Sequence, residues 1–300
     1  MKAYDPRLGI SGHVLRQAGE SGRAALVAYL PVGFPSVPGS LAAMRAVIEG
    51  TDGVGADLVE IGMPYSDPMM DGLAIQHATT RALERGVRTR DVFTASETVA
   101  AAGATPMVMI YWNLVERYGV AAFARDLAAA GGAGLITPDL TPDEAGEWMA
   151  ASDSHGLDRV FLIAPSSTDE RIRETMAACR GWVYATSVMG VTGVRSETSS
   201  AAPVIVQRAR KADPSLPVGV GLRVLLRRVL FGVLVAALLG HARDVPGPGT
   251  GTRRGRVVTA GATSEERQLR RGDDDAPGDD GDRGHPAHDE RPDVLGAPEE

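Results

Sequence analysis

Asp57-Leu58-Val59-Glu60-Ile61-Gly62-Met63-Pro64-Tyr65-Ser66-Asp67-Pro68-Met69-Met70-Asp71-Gly72 runs from an apolar strand into a loop that carries carboxylates. Apart from Glu60, the run from Leu58 to Gly62 holds no polar residue, which marks a strand covered on both faces, as in a parallel sheet between helices. The loop is punctuated by Pro64, Pro68 and Gly72 and adds Asp67 and Asp71 before a helical pattern resumes near Ala74. Parallel α/β folds keep their reactive groups at the carboxyl ends of strands and in the loops that follow. Carboxylates beside apolar runs cost free energy unless they have a partner or a task. The stretch therefore points to a fold class and to a candidate active site together.

The same unit recurs on both sides. Strand-like runs are expected at 24–30, 58–62, 107–111, 133–136, 159–163, 181–185 and 216–221. Helical patterns separate them at 40–49, 75–84, 90–102, 120–130, 141–152, 169–179 and 202–212. Gly86 reads as a helix stop, Thr141-Pro142 as a start with proline at the first helical position, and Ser167 or Thr168 as a cap. Successive strand–helix units with polar strand ends favour a (β/α)₈ barrel over an open doubly wound sheet. No G-x-G-x-x-G follows the first strand, which weighs against a dinucleotide fold.

In a barrel the strand ends meet at one mouth. That gathers Glu60, Asp67 and Asp71, Tyr111 and Asn113, Asp139, Tyr184, Thr192 and Gly193, and Gly219 and Gly221. Paired carboxylates suit proton transfer, one as general acid and one to hold or relay. Glycines at the late strands suit close backbone approach to a phosphate. Read singly, Asp67 and Asp71 also fit loop turns, and Tyr111 and Tyr184 also fit packing.

Composition narrows the function classes. A net charge of −7 over 300 residues argues against a nucleic-acid footprint. The only cysteine, Cys179, excludes an internal disulfide, fits a reducing cytoplasm and reads as a small buried hydrophobe. No apolar run follows the charged N-terminus, so no signal peptide is expected. His285 and His288 lack ligand partners, and no metal site is expected. The chain divides into a barrel domain at 1–222, an apolar segment of unassigned structure at 223–240, and a tail at 241–300. The apolar segment is too short, and too interrupted by Arg227 and Arg228, to span a membrane. The tail is rich in Gly, Pro, Asp and Arg, has no aromatic residue, and is expected to be disordered.

The motif from Glu60 to Gly72 resembles the signature of the tryptophan synthase alpha chains, which are (β/α)₈ lyases. Tyr111-Trp112-Asn113-Leu114, Pro138-Asp139 and Met189-Gly190-Val191-Thr192-Gly193 match further motifs of that family, in order. The resemblance covers roughly residues 23–222. It implies retro-aldol cleavage of indole-3-glycerol phosphate to indole and glyceraldehyde 3-phosphate. By resemblance Glu60 is the acid/base and Asp71 the acceptor for the indole N–H. Tyr111 and Tyr184 line the substrate, and Gly193 and Gly221 contact phosphate. Thr192 belongs to a mobile lid and orients Asp71. Asp67, Pro68 and Asn113 lie on the interface with a beta chain, in an α₂β₂ complex. The resemblance implies no cofactor for this chain, pyridoxal phosphate belonging to the beta chain.

Two departures stand out. Leu73 occupies a position where the family has proline, which loosens the loop behind Asp71. After Leu222 no Gly-Ser pair appears, so the eighth strand and its helix N-terminus, half of the family's phosphate clamp, are not legible. We read this divergence as a shift of reading frame near residue 222. It predicts open edges on the first and seventh strands, with the apolar block as a candidate to pack into the gap, and lowered activity and stability. The competing reading is an impaired homologue that at most binds the beta chain.

Overall fold

A computed structural model describes residues 5–68, 71–186, 201–226 and 229–236. In chain order the elements are α1 (Gly9–Glu20), β1 (Ala25–Pro31), α2 (Val37–Glu49), β2 (Leu58–Gly62), α3 (Leu73–Glu84), α4 (Asp91–Ala101), β3 (Thr105–Met109), α5 (Trp112–Tyr118) and α6 (Val120–Ala129). They continue with β4 (Gly134–Ile136), α7 (Gly146–His155), β5 (Asp158–Val160), β6 (Leu162–Ile163), α8 (Asp169–Ala178), β7 (Val183–Ala185), α9 (Ala201–Ala212), β8 (Val218–Leu226) and β9 (Val229–Ala236). The nine strands form one sheet in the order β5-β4-β3-β2-β1-β9-β8-β7-β6. β5 and β6 are two halves of one stave, broken at Phe161, so the sheet closes on itself as a (β/α) barrel. No described helix is long and apolar enough to cross a membrane.

Strand alternation sorts the side chains into two cores. Outward residues such as Ala28, Leu30, Val59, Ile61, Val108, Val183 and Val218 join the layer between sheet and outer helices. Inward residues Val27, Leu58, Met107, Ile136, Val160 and Trp182 fill the barrel together with Leu15 and Ala18 of α1. Burial on both faces is thus why these strands read as continuously apolar. Helix α1, not expected from the sequence, plugs the amino-terminal end of the barrel. Asp158 at the start of β5 holds it, accepting from the backbone N–H groups of Ile10 (3.2 Å) and Ser11 (2.7 Å) and from the Ser11 hydroxyl (2.6 Å).

Several expected boundaries move. β3 ends at Met109, so Tyr111 lies beyond the strand, in the residue that precedes α5. The helix expected from Thr141 is a single tight turn, Pro142–Glu144, followed by α7. Thr168 caps α8 by accepting from the Arg171 N–H, as its position implied. The barrel boundary expected at 222 falls inside β8, which runs on to Leu226.

The expected open edges are corrected. β9 pairs antiparallel with β8 from Leu226↔Val229 to Gly219↔Ala236, and antiparallel with β1 from Tyr29↔Gly232 to Ala25↔Ala236. It fills the gap between the first and seventh parallel staves. The physical reason is that two facing edges offer unpaired backbone donors and acceptors, and a nearby apolar segment satisfies both. With only two residues between β8 and β9, the returning strand must run antiparallel. Among the described residues there is accordingly no eighth parallel strand–helix unit.

Candidate active site

The mouth is built on β2. Glu60 points into the barrel, one inward position above Leu58, and is 2% exposed. Burial, reinforced by the nearby negative charge of Asp71, pushes its carboxyl up to about 8. A carboxylic acid so placed is mostly protonated at neutral pH and can serve as a proton donor. Asp71 lies in the residue pair that leads into α3, and burial raises its carboxyl too. Its backbone carbonyl accepts from the Gln76 side-chain amide at 2.8 Å, which ties the loop end to the helix. The α3 N-terminus favours negative charge at this point. The two acids are therefore unequal: one is deeply buried and held neutral, the other sits at the rim beside a helix dipole.

Tyrosines surround them. Tyr184 projects inward from β7 beside Trp182, with ring centroids 5.7 Å apart. Its hydroxyl leaves no room for a side chain at Gly221, where an added Cβ would lie 2.6 Å away. Gly221, expected to face phosphate, is in this structure also the seat of that hydroxyl. Tyr111 is buried and stacks on Tyr65 at 4.3 Å, which links the mouth to the loop carrying Asp67 and Pro68. Burial and the Glu60 charge keep Tyr184 protonated well above its ordinary range.

Other candidates lie apart from this cluster. Asp67 and Asn113 are exposed and Pro68 is partly exposed; Asp67 and Pro68 lie in the loop after β2, and Asn113 in the first turn of α5. Asn113 lines a recess of about 380 Å³ with Trp112, Glu116, Asp139, Leu140 and Glu144. Asp139 is occupied structurally: both its oxygens accept from the Trp112 N–H at 3.0 Å, fixing the start of α5. Thr192 and Gly193, with the expected lid, lie outside the described residues. Cys179 is buried and unpaired, its thiol pushed up to about 12 by burial, which fits an inert packing role.

Two residues of the cluster were not singled out in the sequence. Tyr29 stands on β1 directly opposite Glu60, and Tyr65 sits in the loop after β2. For Tyr29 a usable signal existed: it is the last polar residue of an apolar strand, two positions from the proline that ends it.

Comparison with known proteins bears on the fold and the family. The family model of the tryptophan synthase alpha chain matches residues 15–228. A tryptophan synthase alpha chain from Mycobacterium marinum is 58% identical over 227 residues, covering 73% of this chain and 82% of the relative. One from Salinispora tropica is 58% identical over 213 residues, covering 71% and 77%. Among solved structures, tryptophan synthase of Mycobacterium tuberculosis superposes with a TM-score of 0.67 at 56% identity, covering 71% of this chain and 80% of that one. The tryptophan synthase α₂β₂ complex of Pyrococcus furiosus superposes with a TM-score of 0.59 at 28% identity, covering 67% and 78%.

Proposed function

The chain belongs to the tryptophan synthase alpha-chain family, and from that premise we propose how its mouth cleaves indole-3-glycerol phosphate. The reaction is a retro-aldol cleavage to indole and glyceraldehyde 3-phosphate. The observation that carries the assignment is Glu60, buried and held neutral with its carboxyl at about 8, facing a second acid at the rim. Glu60 gives its proton to C3 of the indole ring, and positive charge spreads to the ring nitrogen. Asp71 accepts the N–H hydrogen bond and stabilises that charge. The bond from C3 to the glycerol carbon then breaks, its electron pair restoring the aromatic ring. The glycerol hydroxyl loses its proton as the aldehyde C=O forms, and the Glu60 carboxylate takes that proton back. One carboxyl thus serves as acid and then base, and no net proton is consumed.

Tyr111 and Tyr184 line the substrate in this reading, and Gly221 offers its backbone to the phosphate. Thr192 and Gly193, in the same reading, belong to the closing loop. Asp67, Pro68 and Asn113 face a beta chain that takes up indole, within an α₂β₂ assembly in the cytoplasm. This chain carries no cofactor of its own; pyridoxal phosphate acts in the partner.

A second reading draws on β9. At the eighth stave a reversed strand stands where a parallel strand would deliver a helix N-terminus to the phosphate. A homologue weakened in this way would act mainly as a binding partner of the beta chain. Indole release from indole-3-glycerol phosphate, assayed with and without beta chain, separates the two. Turnover that the beta chain stimulates supports the lyase. Complex formation without turnover supports the binding partner.

A further inference from the structure

The carboxyl ends of β2 and β3 are joined twice. Their ladder ends at Gly62↔Met109, and the Met63 N–H donates one further bond to the Met109 carbonyl at 2.9 Å. Two residues on from each partner of that bond stand Tyr65 and Tyr111. Their rings lie nearly flat on one another, with centroids 4.3 Å and planes 21° apart. The stack therefore continues the β2–β3 pairing past its last backbone bond, through side chains.

The two rings are held differently. Tyr111 is 7% exposed, and its backbone is fixed from the α5 side. Its carbonyl accepts from the Leu114 N–H at 3.1 Å, and the N–H of the next residue, Trp112, is taken by Asp139. A fixed backbone sets where the ring begins and leaves its χ angles to be chosen by packing. Tyr65 is partly buried and comes from the loop after β2, between Pro64 and Ser66. A ring at stacking distance restrains its neighbour's plane and contributes beyond the area it buries. The resemblance gives a role to Tyr111 and none to Tyr65.

Resting on the function proposed above, in which Tyr111 lines the substrate, we propose that Tyr65 is a positioning residue: its ring, lying flat on one face of Tyr111, fixes the plane in which Tyr111 meets indole-3-glycerol phosphate. Tyr65 acts through Tyr111 and takes no part in proton transfer. The contact needs the ring and not the hydroxyl.

The test is Tyr65→Leu, which removes the ring and keeps an apolar side chain, beside Tyr65→Phe, which keeps the ring. With beta chain present, Tyr65→Leu is expected to raise the KM for indole-3-glycerol phosphate about fivefold and to leave kcat within about twofold, since a wall of the site meets ground state and transition state alike. Tyr65→Phe is expected to restore the parent KM. Where turnover is slow, the Kd for indole reads the same change. Tyr111→Leu and the double variant complete a cycle, in which the double variant should show the KM of Tyr111→Leu alone. A parent KM in Tyr65→Leu, a Tyr65→Phe as impaired as Tyr65→Leu, or additive effects in the double variant would overturn the inference; a raised KM in Tyr111→Leu would leave the reading of Tyr111 standing. If Tyr111→Leu itself keeps the parent KM, the role of Tyr111 fails, and that of Tyr65 with it.

Discussion

Glu60 illustrates how a single side chain sets the working range of the site. Its carboxyl is raised from 4.5 to about 8, by burial first and by Asp71 second. Activity that requires the protonated acid therefore falls as pH rises through about 8, while the need for charged Asp71 sets the acid limb. The same shift has a sign for stability. A group whose pKa is raised on folding stabilises the native state below its unfolded pKa, and that contribution is lost as pH rises through the folded value. Glu60→Gln removes the titration and should melt at a higher temperature than the parent at pH 9, the difference shrinking at pH 5. Thermal melts at the two pH values check this, and an equal difference at both would contradict it.

Legibility at this scale followed locality. Glu60 and Asp71 were readable because strand, proline and glycine lie within one short stretch. Tyr29 gave only a strand-end signal, because what makes it part of the site is a neighbour on another strand, opposite Glu60 and against Gly62. Asp139 was readable as a strand-end carboxylate, yet its partner, the Trp112 N–H, only the fold supplies.

Among elements, α1 and β9 show what a linear pattern leaves out. Helix α1 carries glycines at 9, 12 and 19, which dilute its apolar period. It is held by tertiary contacts instead, through Leu15 and Ala18 in the barrel and through Asp158 at its start. Asp158→Ala would leave the buried N–H and hydroxyl of Ser11, and the part-buried N–H of Ile10, without their acceptor, and is expected to cost about 3 kcal/mol. Chemical denaturation measures this; a loss below about 1 kcal/mol would show that water replaces the carboxylate. The apolar block was a candidate for the gap, but its pairing as β9 was hidden for another reason: it depends on two edges far away in sequence. Each residue in its middle faces β1 on one side and β8 on the other, as Val233 faces Ala28 and Leu222. Val233→Pro removes an N–H from a strand paired on both sides, where proline is not tolerated. We expect a fall in Tm of about 5–10 °C or loss of soluble protein. An unchanged Tm would mean that β9 does not close the barrel.

For the molecule as a whole, repeated strand–helix units made the barrel legible up to β8, and the motif around Glu60 made the family legible. The closure was not, since the sequence after Leu222 follows a different pattern and the barrel is completed by a reversed strand. The consequence is unequal support around the mouth. The acids and tyrosines proposed to handle the indole ring stand on staves to either side of β9 and β8, whereas the eighth stave brings no parallel strand–helix unit to the phosphate. Because phosphate binding helps to hold the reacting centre, we expect weakened turnover relative to family members, with the same residues still responsible for it. The most direct measurement is indole release from indole-3-glycerol phosphate by the purified chain with beta chain present, compared with its Glu60→Gln variant. The account predicts measurable release by the parent and a loss of at least about a hundredfold in the variant; equal release by both would contradict it.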